Sequence, residues 1–156
     1  MELRFSPLFS GSSGNALYVG CDGAHLLVDA GVSGTRVAQS LAGIGVQPGE
    51  LNGILVTHEH IDHIRGIGVL SRKYDLPIFA TPGTWAAMSG KIGAIAGKNV
   101  RVFDPEVNFF MGPIEVVAFP TPHDAAEPVG FAFELDGARL AVATDIGCVR
   151  DSWAKY

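Results

Sequence analysis

Three histidines, a glutamate and an aspartate lie among the six consecutive positions from His58 to His63, inside the stretch LVTHEHIDHIRG. The whole chain has only five histidines, so this short segment holds most of them. Neutral imidazole suits zinc, and imidazole combined with carboxylate also suits manganese or iron. A solvated polar helix start is the alternative interpretation, but the residue types here are too restricted to favour it. The segment therefore predicts a metal site.

The spacing of these residues indicates how one short loop could serve two metal positions. If the chain stays extended after the apolar run, side chains at positions 58, 60 and 62 lie on one side of it. His58 and His60 could then bind one ion. Asp62 and His63 are adjacent and diverge, so the turn into the following helix would direct them to a neighbouring position. Glu59 points away from that side, and we expect it to be exposed and not to act as a ligand.

Zinc-like sites need further ligands from other parts of the chain, and residues at strand ends could supply them. His123 follows the predicted strand IEVVAF, and Asp145 follows the predicted strand LAVA. Loops at strand ends often carry binding groups, which favours both as ligands; a hydrogen-bonded loop histidine and an ordinary turn aspartate are the alternatives. Asp29, in LLVDAG, could simply cap the next helix. His25 lies inside a predicted strand and is not expected to take part.

Composition narrows the class of protein. The chain has 156 residues, 47% hydrophobic and 17% charged, with 20 Gly and 9 Pro, which predicts one turn-rich domain over residues 1–156. The net charge of −5 offers no general basic field for nucleic acid, although bound metal ions would add local positive charge. The N-terminus lacks the apolar stretch of a signal peptide, and no apolar run reaches membrane-spanning length. We therefore expect a cytoplasmic protein without a membrane partner.

The two cysteines and two Asp-Gly pairs carry structural rather than chemical signals. Cys21 and Cys148 form no ligand-spaced pair and no disulfide framework, and we expect Cys148 to be a small buried hydrophobe. Asp22-Gly23 and Asp136-Gly137 each stand between two apolar runs, which predicts two hairpin turns.

Periodicity and turn signals predict a strand-rich α/β fold with several antiparallel pairs, unlike the regular strand-helix alternation of a doubly wound fold. Helices are predicted at SGTRVAQSLAGIG, with Ser33 or Thr35 as a cap, at IRGIGVLSRKY, and at PGTWAAMSG, which Pro82 opens. The short buried strand GILVT leads into the histidine loop. Further strands are predicted at LRFSPLF, ALYVG, AHLLVDAG, LPIFATP, VRVFD, IEVVAFP and VGFAFELDGARLAVATD.

The stretch THEHIDHIRG resembles the HxHxDH signature of the metallo-β-lactamase superfamily. The resemblance implies an αββα sandwich and a metal-dependent hydrolase with two divalent ions. The early motif LLVDAG is similar to one in which the residue corresponding to Asp29 supports the ligand loop by hydrogen bonding. The ligands that the resemblance implies are His58, His60 and His123 at one ion, Asp62 and His63 at the other, and Asp145 bridging the two.

Three further stretches, FSGSSGNALYVG, TPHDAAEPVGFAFE and LAVATDIG, resemble the WalJ (YycJ)-like branch of that superfamily. This resemblance implies phosphodiester chemistry, including 5′-to-3′ exonuclease activity on DNA, with zinc, manganese or iron as the ions. A hydroxide bridging the ions would be the nucleophile, and Asp62 would orient it as a catalytic residue. The GSSGN segment could offer N–H groups to a phosphate, although a plain turn is an equal interpretation.

The chain departs from the superfamily pattern at its C-terminal side, since it ends eleven residues after Asp145. We therefore expect it to lack part of the second half of the sandwich, including the last histidine ligand, either as a fragment or as a short form that relies on a partner chain. The mean hydropathy of +0.27 fits a sheet face left uncovered. Two other functions stay open: hydrolysis of a small thioester or lactone, and a metal-binding module without catalytic activity.

Overall fold

Ten strands and four α-helices are formed within residues 1–146 and 148–156, the part of the chain that the computed structural model describes. The strands are β1 (Arg4–Phe9), β2 (Ala16–Cys21), β3 (Ala24–Val28), β4 (Gly53–Leu55), β5 (Ile78–Ala80), β6 (Val100–Val102), β7 (Phe109–Met111), β8 (Ile114–Pro120), β9 (Val129–Leu135) and β10 (Ala138–Val142). The helices are α1 (Gly34–Gly43), α2 (Ile61–Ile64), α3 (Ile67–Tyr74) and α4 (Pro82–Met88), with 3₁₀ helices at Pro48–Glu50, Gly97–Asn99 and Asp151–Lys155. Every predicted strand and helix is present, and β7 is a strand that the sequence did not predict.

The strands form two sheets. One has the order β1-β2-β3-β4-β5-β6, antiparallel from β1 to β3 and parallel from β3 to β6, and the other has the antiparallel order β10-β9-β8-β7. Both predicted Asp-Gly hairpins are confirmed: Asp22-Gly23 joins β2 to β3, and Asp136-Gly137 joins β9 to β10. The latter pair has φ values of +49° and +83°, the left-handed conformations that a type I′ turn requires.

The helices follow the start signals in the sequence, with one difference. Ser33, not Thr35, caps α1 by accepting from the backbone N–H of Arg36, and Pro82 opens α4. The helix predicted over IRGIGVLSRKY forms as α3 and begins only at Ile67; a separate short helix, α2, ends at Ile64, and Gly66 lies between the two. Gly66 donates its N–H to the carbonyl of Ala30 at 2.7 Å, so the chain turns there to pack against the loop after β3.

Two apolar cores define the layers of the fold. One lies between the helices and the six-stranded sheet, and the other lies between the two sheets. Strand β3 shows the alternation, because Leu27 packs in the first core whereas Leu26 and Val28 pack in the second. The predicted α/β class is confirmed, with helices, sheet and sheet as three successive layers.

The outer face of the four-stranded sheet is partly covered by the 3₁₀ helix near the C-terminus. The ring of Phe119 lies 5.3 Å from that of Trp153 and 4.7 Å from that of Tyr156. Cys148 is exposed, so the expectation that it is buried was wrong; it lies beside this peripheral segment and not in either core. No helix of residues 1–146 and 148–156 is long and apolar enough to span a lipid bilayer.

Three chain segments stack at the end of β3 and position the histidine loop. The N–H of Asn15 donates to the carbonyl of Asp62 and the N–H of Gly31 donates to the carbonyl of Asn15, each at 2.8 Å. The N–H of Ala30 donates to the carbonyl of His63 at 2.9 Å. This stack is possible because Gly31 has no side chain: a Cβ there would lie 1.6 Å from the carbonyl oxygen of Asp62.

Substitution of Gly31 by alanine is expected to disturb this stack. Because the added Cβ would meet backbone, Gly31→Ala should lower the free energy of unfolding by about 1–3 kcal/mol, measured by chemical denaturation. Gly43→Ala is the control, since a Cβ at Gly43, at the end of α1, meets no atom within 4 Å. Equal stability of Gly31→Ala and the wild-type chain would contradict this account of the stack.

Candidate metal centre

The candidate ligands are delivered by loops at one edge of the two sheets. The histidine loop follows β4, and the loop of Asp29 follows the parallel neighbour β3, whose Val28 is in register with Leu55. The loop of His123 joins β8 to β9, and the N–H of Val129 at the start of β9 donates to the carbonyl of Thr57 at 2.9 Å. Strand ends from both sheets therefore meet at this edge.

His58, His60 and His123 form a first cluster. Each offers one ring nitrogen, and these three atoms lie within 4.8 Å of one another. The Nε2 of His123 is 3.2 Å from the Nδ1 of His60, and the ring of His58 lies 4.7 Å from that of His60 and 4.6 Å from that of His123. His58 is buried while the other two are half-buried, so the cluster is closed on the protein side and open on the other.

His58, His63 and Asp145 form a second cluster beside the first, and Asp145 lies between the histidines. Its Oδ2 is 2.7 Å from the Nε2 of His63 and 3.3 Å from the Nε2 of His58. The Oδ2 of Asp62 is 3.7 Å from the Nε2 of His63, on the same side, but Asp62 joins neither set of donors that lie within 4.8 Å of one another. The structure thus gathers five of the six predicted ligands into two adjacent clusters and leaves Asp62 at their margin.

The carboxylate of Asp29 ties the histidine loop to β3. Its Oδ1 accepts from the N–H of Thr57 at 2.8 Å, and its Oδ2 accepts from the hydroxyl of Thr57 and lies next to the Nδ1 of His63, each at 2.6 Å. Asp29 is 2% exposed and has a φ of +59°, a conformation that Asp adopts more readily than most residues. Since Ser33 caps α1, the alternative role of Asp29 as a helix cap does not apply.

This tie directs the reactive nitrogen of His63 toward the cluster. When the Nδ1–H of His63 donates to Asp29, the Nε2 carries the lone pair and faces Asp145. Metal-binding histidines are commonly held in this way by a carboxylate on the other ring nitrogen. The hydroxyl of Thr57 also lies 2.9 Å from the Nδ1 of His58, so one short network orients histidines of both clusters.

The pKa values of the two histidines that face Asp145, His58 and His63, are shifted in opposite directions. Burial, helped by the neighbouring charge of His63, lowers the pKa of His58 to about 4, so its ring is neutral at pH 7. Burial also opposes a charge on His63, but the hydrogen bond to Asp29 and the charges of Asp29, Asp62 and Asp145 outweigh it and raise its pKa. His58 is therefore a neutral ring with a free lone pair. It lies beside His63, where three carboxylates favour positive charge.

The donor set fits a divalent cation on two further grounds. The Nε2 of His58 is buried and has no hydrogen-bond partner within residues 1–146 and 148–156, although the Oδ2 of Asp145 is close. A buried ring nitrogen left without a partner is costly, and a bound cation would satisfy it. Imidazole nitrogens mixed with a carboxylate are ligands that zinc, manganese and iron accept.

Glu59 and Asn15 make contacts in this region that were not predicted from the sequence. Glu59 is 7% exposed, so the expectation that it is exposed was wrong: its Oε1 accepts from the N–H of Ala126 at 2.9 Å. The His123 loop covers the side of the histidine loop that strand alternation would leave facing water. The Nδ2 of Asn15, from GSSGN, lies 3.4 Å from the Oδ2 of Asp62 and 3.3 Å from the Nε2 of His63.

The remaining candidates lie away from the clusters. His25 is in β3, where its Nδ1 lies 2.7 Å from the hydroxyl of Tyr18, and it belongs to neither cluster. Asp22 is a largely exposed residue, as its predicted place in a hairpin turn indicates. Its carboxylate pairs with Arg4.

Comparison with known proteins identifies relatives of this arrangement. The chain is 48% identical over 151 residues to exodeoxyribonuclease YycJ of Bacillus anthracis and 39% identical over 153 residues to exodeoxyribonuclease WalJ of Streptococcus pneumoniae serotype 2 (strain D39), covering 97% of this chain in each case. Each match covers 57% of the relative, so the chain spans little more than half the length of these proteins.

A solved structure supports the same fold. A metallo-β-lactamase of Cronobacter sakazakii superposes with a TM-score of 0.74 at 18% sequence identity, covering 90% of this chain and 60% of the other. This confirms the predicted metallo-β-lactamase fold, of which the chain has the helical layer and two sheets described above. Residues 25–156 match the family described as the β-lactamase superfamily domain, and the chain belongs to that family.

Proposed function

We propose that the chain carries the metal centre of a DNA phosphodiesterase, with exonuclease activity of 5′-to-3′ polarity. The observation that carries the proposal is the position of Asp145. Its Oδ2 lies 3.3 Å from the Nε2 of His58 and 2.7 Å from the Nε2 of His63. Two adjacent donor clusters that share His58, with the Asp145 carboxylate close to it, suit a pair of ions, and paired ions are found in many phosphodiester-cleaving enzymes. The relatives named as exodeoxyribonucleases favour DNA as the substrate.

The proposed ions are two divalent cations, zinc or manganese, with iron also compatible with the ligands. His58, His60 and His123 would hold one, Asp62 and His63 the other, with Asp145 bridging. When bound, the ions would lower the pKa of a water toward neutrality and offset negative charge on the phosphoryl oxygens. They would also supply positive charge to a chain whose net charge is −5.

Asp62 is proposed to orient the attacking water and take its proton. Its side chain is 27% exposed and its Oδ2 lies 3.7 Å from the Nε2 of His63, at the open side of the clusters. The amide of Asn15 lies 3.4 Å from that oxygen and donates to the carbonyl of Gly11 at 2.9 Å, which would restrict the directions that the carboxylate can adopt. We also propose that cleavage runs 5′-to-3′ and that the protein acts in the cytoplasm, where it would meet a DNA substrate.

Substrate class can be tested directly. The chain, loaded with Zn²⁺ or Mn²⁺, is expected to hydrolyse bis(p-nitrophenyl) phosphate, to release the label from 5′-end-labelled DNA, to shorten 3′-end-labelled DNA progressively, and to leave thioesters and lactones intact. Turnover of a thioester with none of the phosphodiester would favour the small-molecule hydrolase, and metal binding without any turnover would favour a catalytically silent module.

The ligand assignment predicts a difference between two histidine substitutions. His60→Ala removes a donor of the first cluster alone, so it should lower the metal content by about one ion per chain while leaving the second site occupied. His25→Ala is the control, because His25 contacts Tyr18 and neither cluster. The measurement is metal content by elemental analysis after removal of free metal. Equal loss of metal in His60→Ala and His25→Ala would defeat the assignment.

The role of Asp62 predicts an effect on turnover that exceeds the effect on binding. Asp62→Asn keeps the shape of the side chain but removes its basicity, so kcat should fall by at least about 100-fold. The affinity for the first ion should change by no more than about threefold, since Asp62 lies outside the first cluster. Measured kcat and metal affinity together decide the matter; an unchanged kcat would show that Asp62 neither orients the nucleophile nor accepts its proton.

A further inference from the structure

The carboxylate of Glu59 is buried, and a contribution to the stability of the fold does not explain this burial. The residue is 7% exposed, and its Oε1 accepts from the N–H of Ala126 at 2.9 Å. Its Oε2 is buried and, within the described residues, has no hydrogen-bond partner. A buried carboxylate with one oxygen unsatisfied destabilises the fold relative to an apolar side chain of similar size, so a site-related role is the better explanation.

The contact of Glu59 reaches the loop that carries His123. This loop, residues 121–128, leaves β8 and returns to β9, and its own turn contains the N–H of Ala125 donating to the carbonyl of His123 at 3.0 Å. Ala126 therefore lies three residues from His123, directly after that turn. The bond from Glu59 fixes the loop on the side of the first cluster.

The residue that follows Ala126, Glu127, is held separately at the N-terminal end of α4. The hydroxyl of Thr81 donates to the carbonyl of Glu127 at 3.1 Å, and the N–H of Gly83 donates to the carboxylate of Glu127 at 2.9 Å. These contacts hold the end that enters β9. The segment bearing His123 is connected to the histidine loop by the Glu59 bond and by the contact of His123 with His60.

We propose that Glu59 is a positioning residue that holds His123 in place to complete the first cluster. The inference rests on the proposed function, because it takes His58, His60 and His123 as ligands of one ion. Glu59 stands between His58 and His60 in the sequence. The histidine loop therefore supplies two donors of the first cluster and also the hydrogen bond to Ala126 that holds the third donor, His123, in place. The cluster is thereby assembled before an ion arrives.

Charge is the competing explanation, since a carboxylate near the cluster would attract cations from any position. The two explanations differ in what the side chain must preserve. Positioning requires an oxygen acceptor at the reach of a glutamate, which glutamine retains and aspartate does not. Attraction by charge requires the negative charge, which aspartate retains and glutamine does not.

The test compares Glu59→Ala, Glu59→Asp and Glu59→Gln by the affinity for the first equivalent of Zn²⁺, measured in competition with a chromophoric chelator. Positioning predicts an affinity about 10-fold or more lower for the alanine and aspartate variants, and within about threefold of wild type for glutamine. Glu50→Ala is the control, because Glu50 also accepts from a backbone N–H, that of Gln47 at 2.7 Å, but belongs to neither cluster. Wild-type affinity in Glu59→Asp with a loss in Glu59→Gln would overturn the proposal in favour of charge.

A second readout needs no metal. Hydrogen exchange of the Ala126 amide in the chelator-treated protein should be protected in the wild type and in Glu59→Gln, and faster in Glu59→Ala and Glu59→Asp. Equal protection in all four would overturn the proposal. This arm still decides the role of Glu59 if the wild-type chain binds no ion, an outcome that would instead defeat the proposed function.

A double-mutant cycle separates an effect on His123 from a general loosening of the fold. If Glu59 acts through His123, Glu59→Ala should cause no further loss of Zn²⁺ affinity once His123→Ala is present. An undiminished loss in the His123→Ala background would overturn the positioning role.

Discussion

The buried carboxylate of Asp29 is the interaction on which the candidate site depends. It accepts from the backbone and the hydroxyl of Thr57 and lies 2.6 Å from the Nδ1 of His63, so one side chain joins the loop after β3 to the loop after β4. The polar groups involved are buried and mutually satisfied, a condition under which such a network is stabilising and specific. Because the two strands are parallel neighbours, their ends already lie side by side, and the network converts that proximity into fixed ring orientations.

Packing between layers explains why the donors can be held so close together. The histidine loop lies between the loop after β3 and the start of β9, so backbone contacts hold it on both sides: Ala30 donates to the carbonyl of His63, and Val129 donates to that of Thr57. Four imidazoles within a few ångströms would repel one another if all were protonated. Burial lowers the pKa of His58 to about 4, while the hydrogen bond to Asp29 and three nearby carboxylates raise the pKa of His63, so the four rings do not all favour the charged form.

Residue chemistry made the histidine cluster predictable from the sequence. Imidazoles at positions 58, 60 and 63 have few other uses at that spacing, and strand-end placement favoured His123 and Asp145 as partners while leaving a loop histidine and a turn aspartate as alternatives. The hairpins were predictable as well, because Asp-Gly is favoured in tight turns between strands.

Other features depend on tertiary packing that no local pattern records. The burial of Glu59 follows from the His123 loop, which is distant in sequence and folds over the side expected to face water. The break between α2 and α3 at Gly66 follows from a hydrogen bond to Ala30, and β7 is a three-residue strand formed by pairing with β8. Each is decided by a contact between segments.

Anomalous X-ray diffraction from crystals of the chain loaded with zinc tests the central claim most directly. We expect zinc peaks bound by His58, His60 and His123 and beside His63, on either side of the Asp145 carboxylate. Well-ordered crystals with these side chains in place and no zinc bound to any of them, or with His123 turned away from His60, would contradict it.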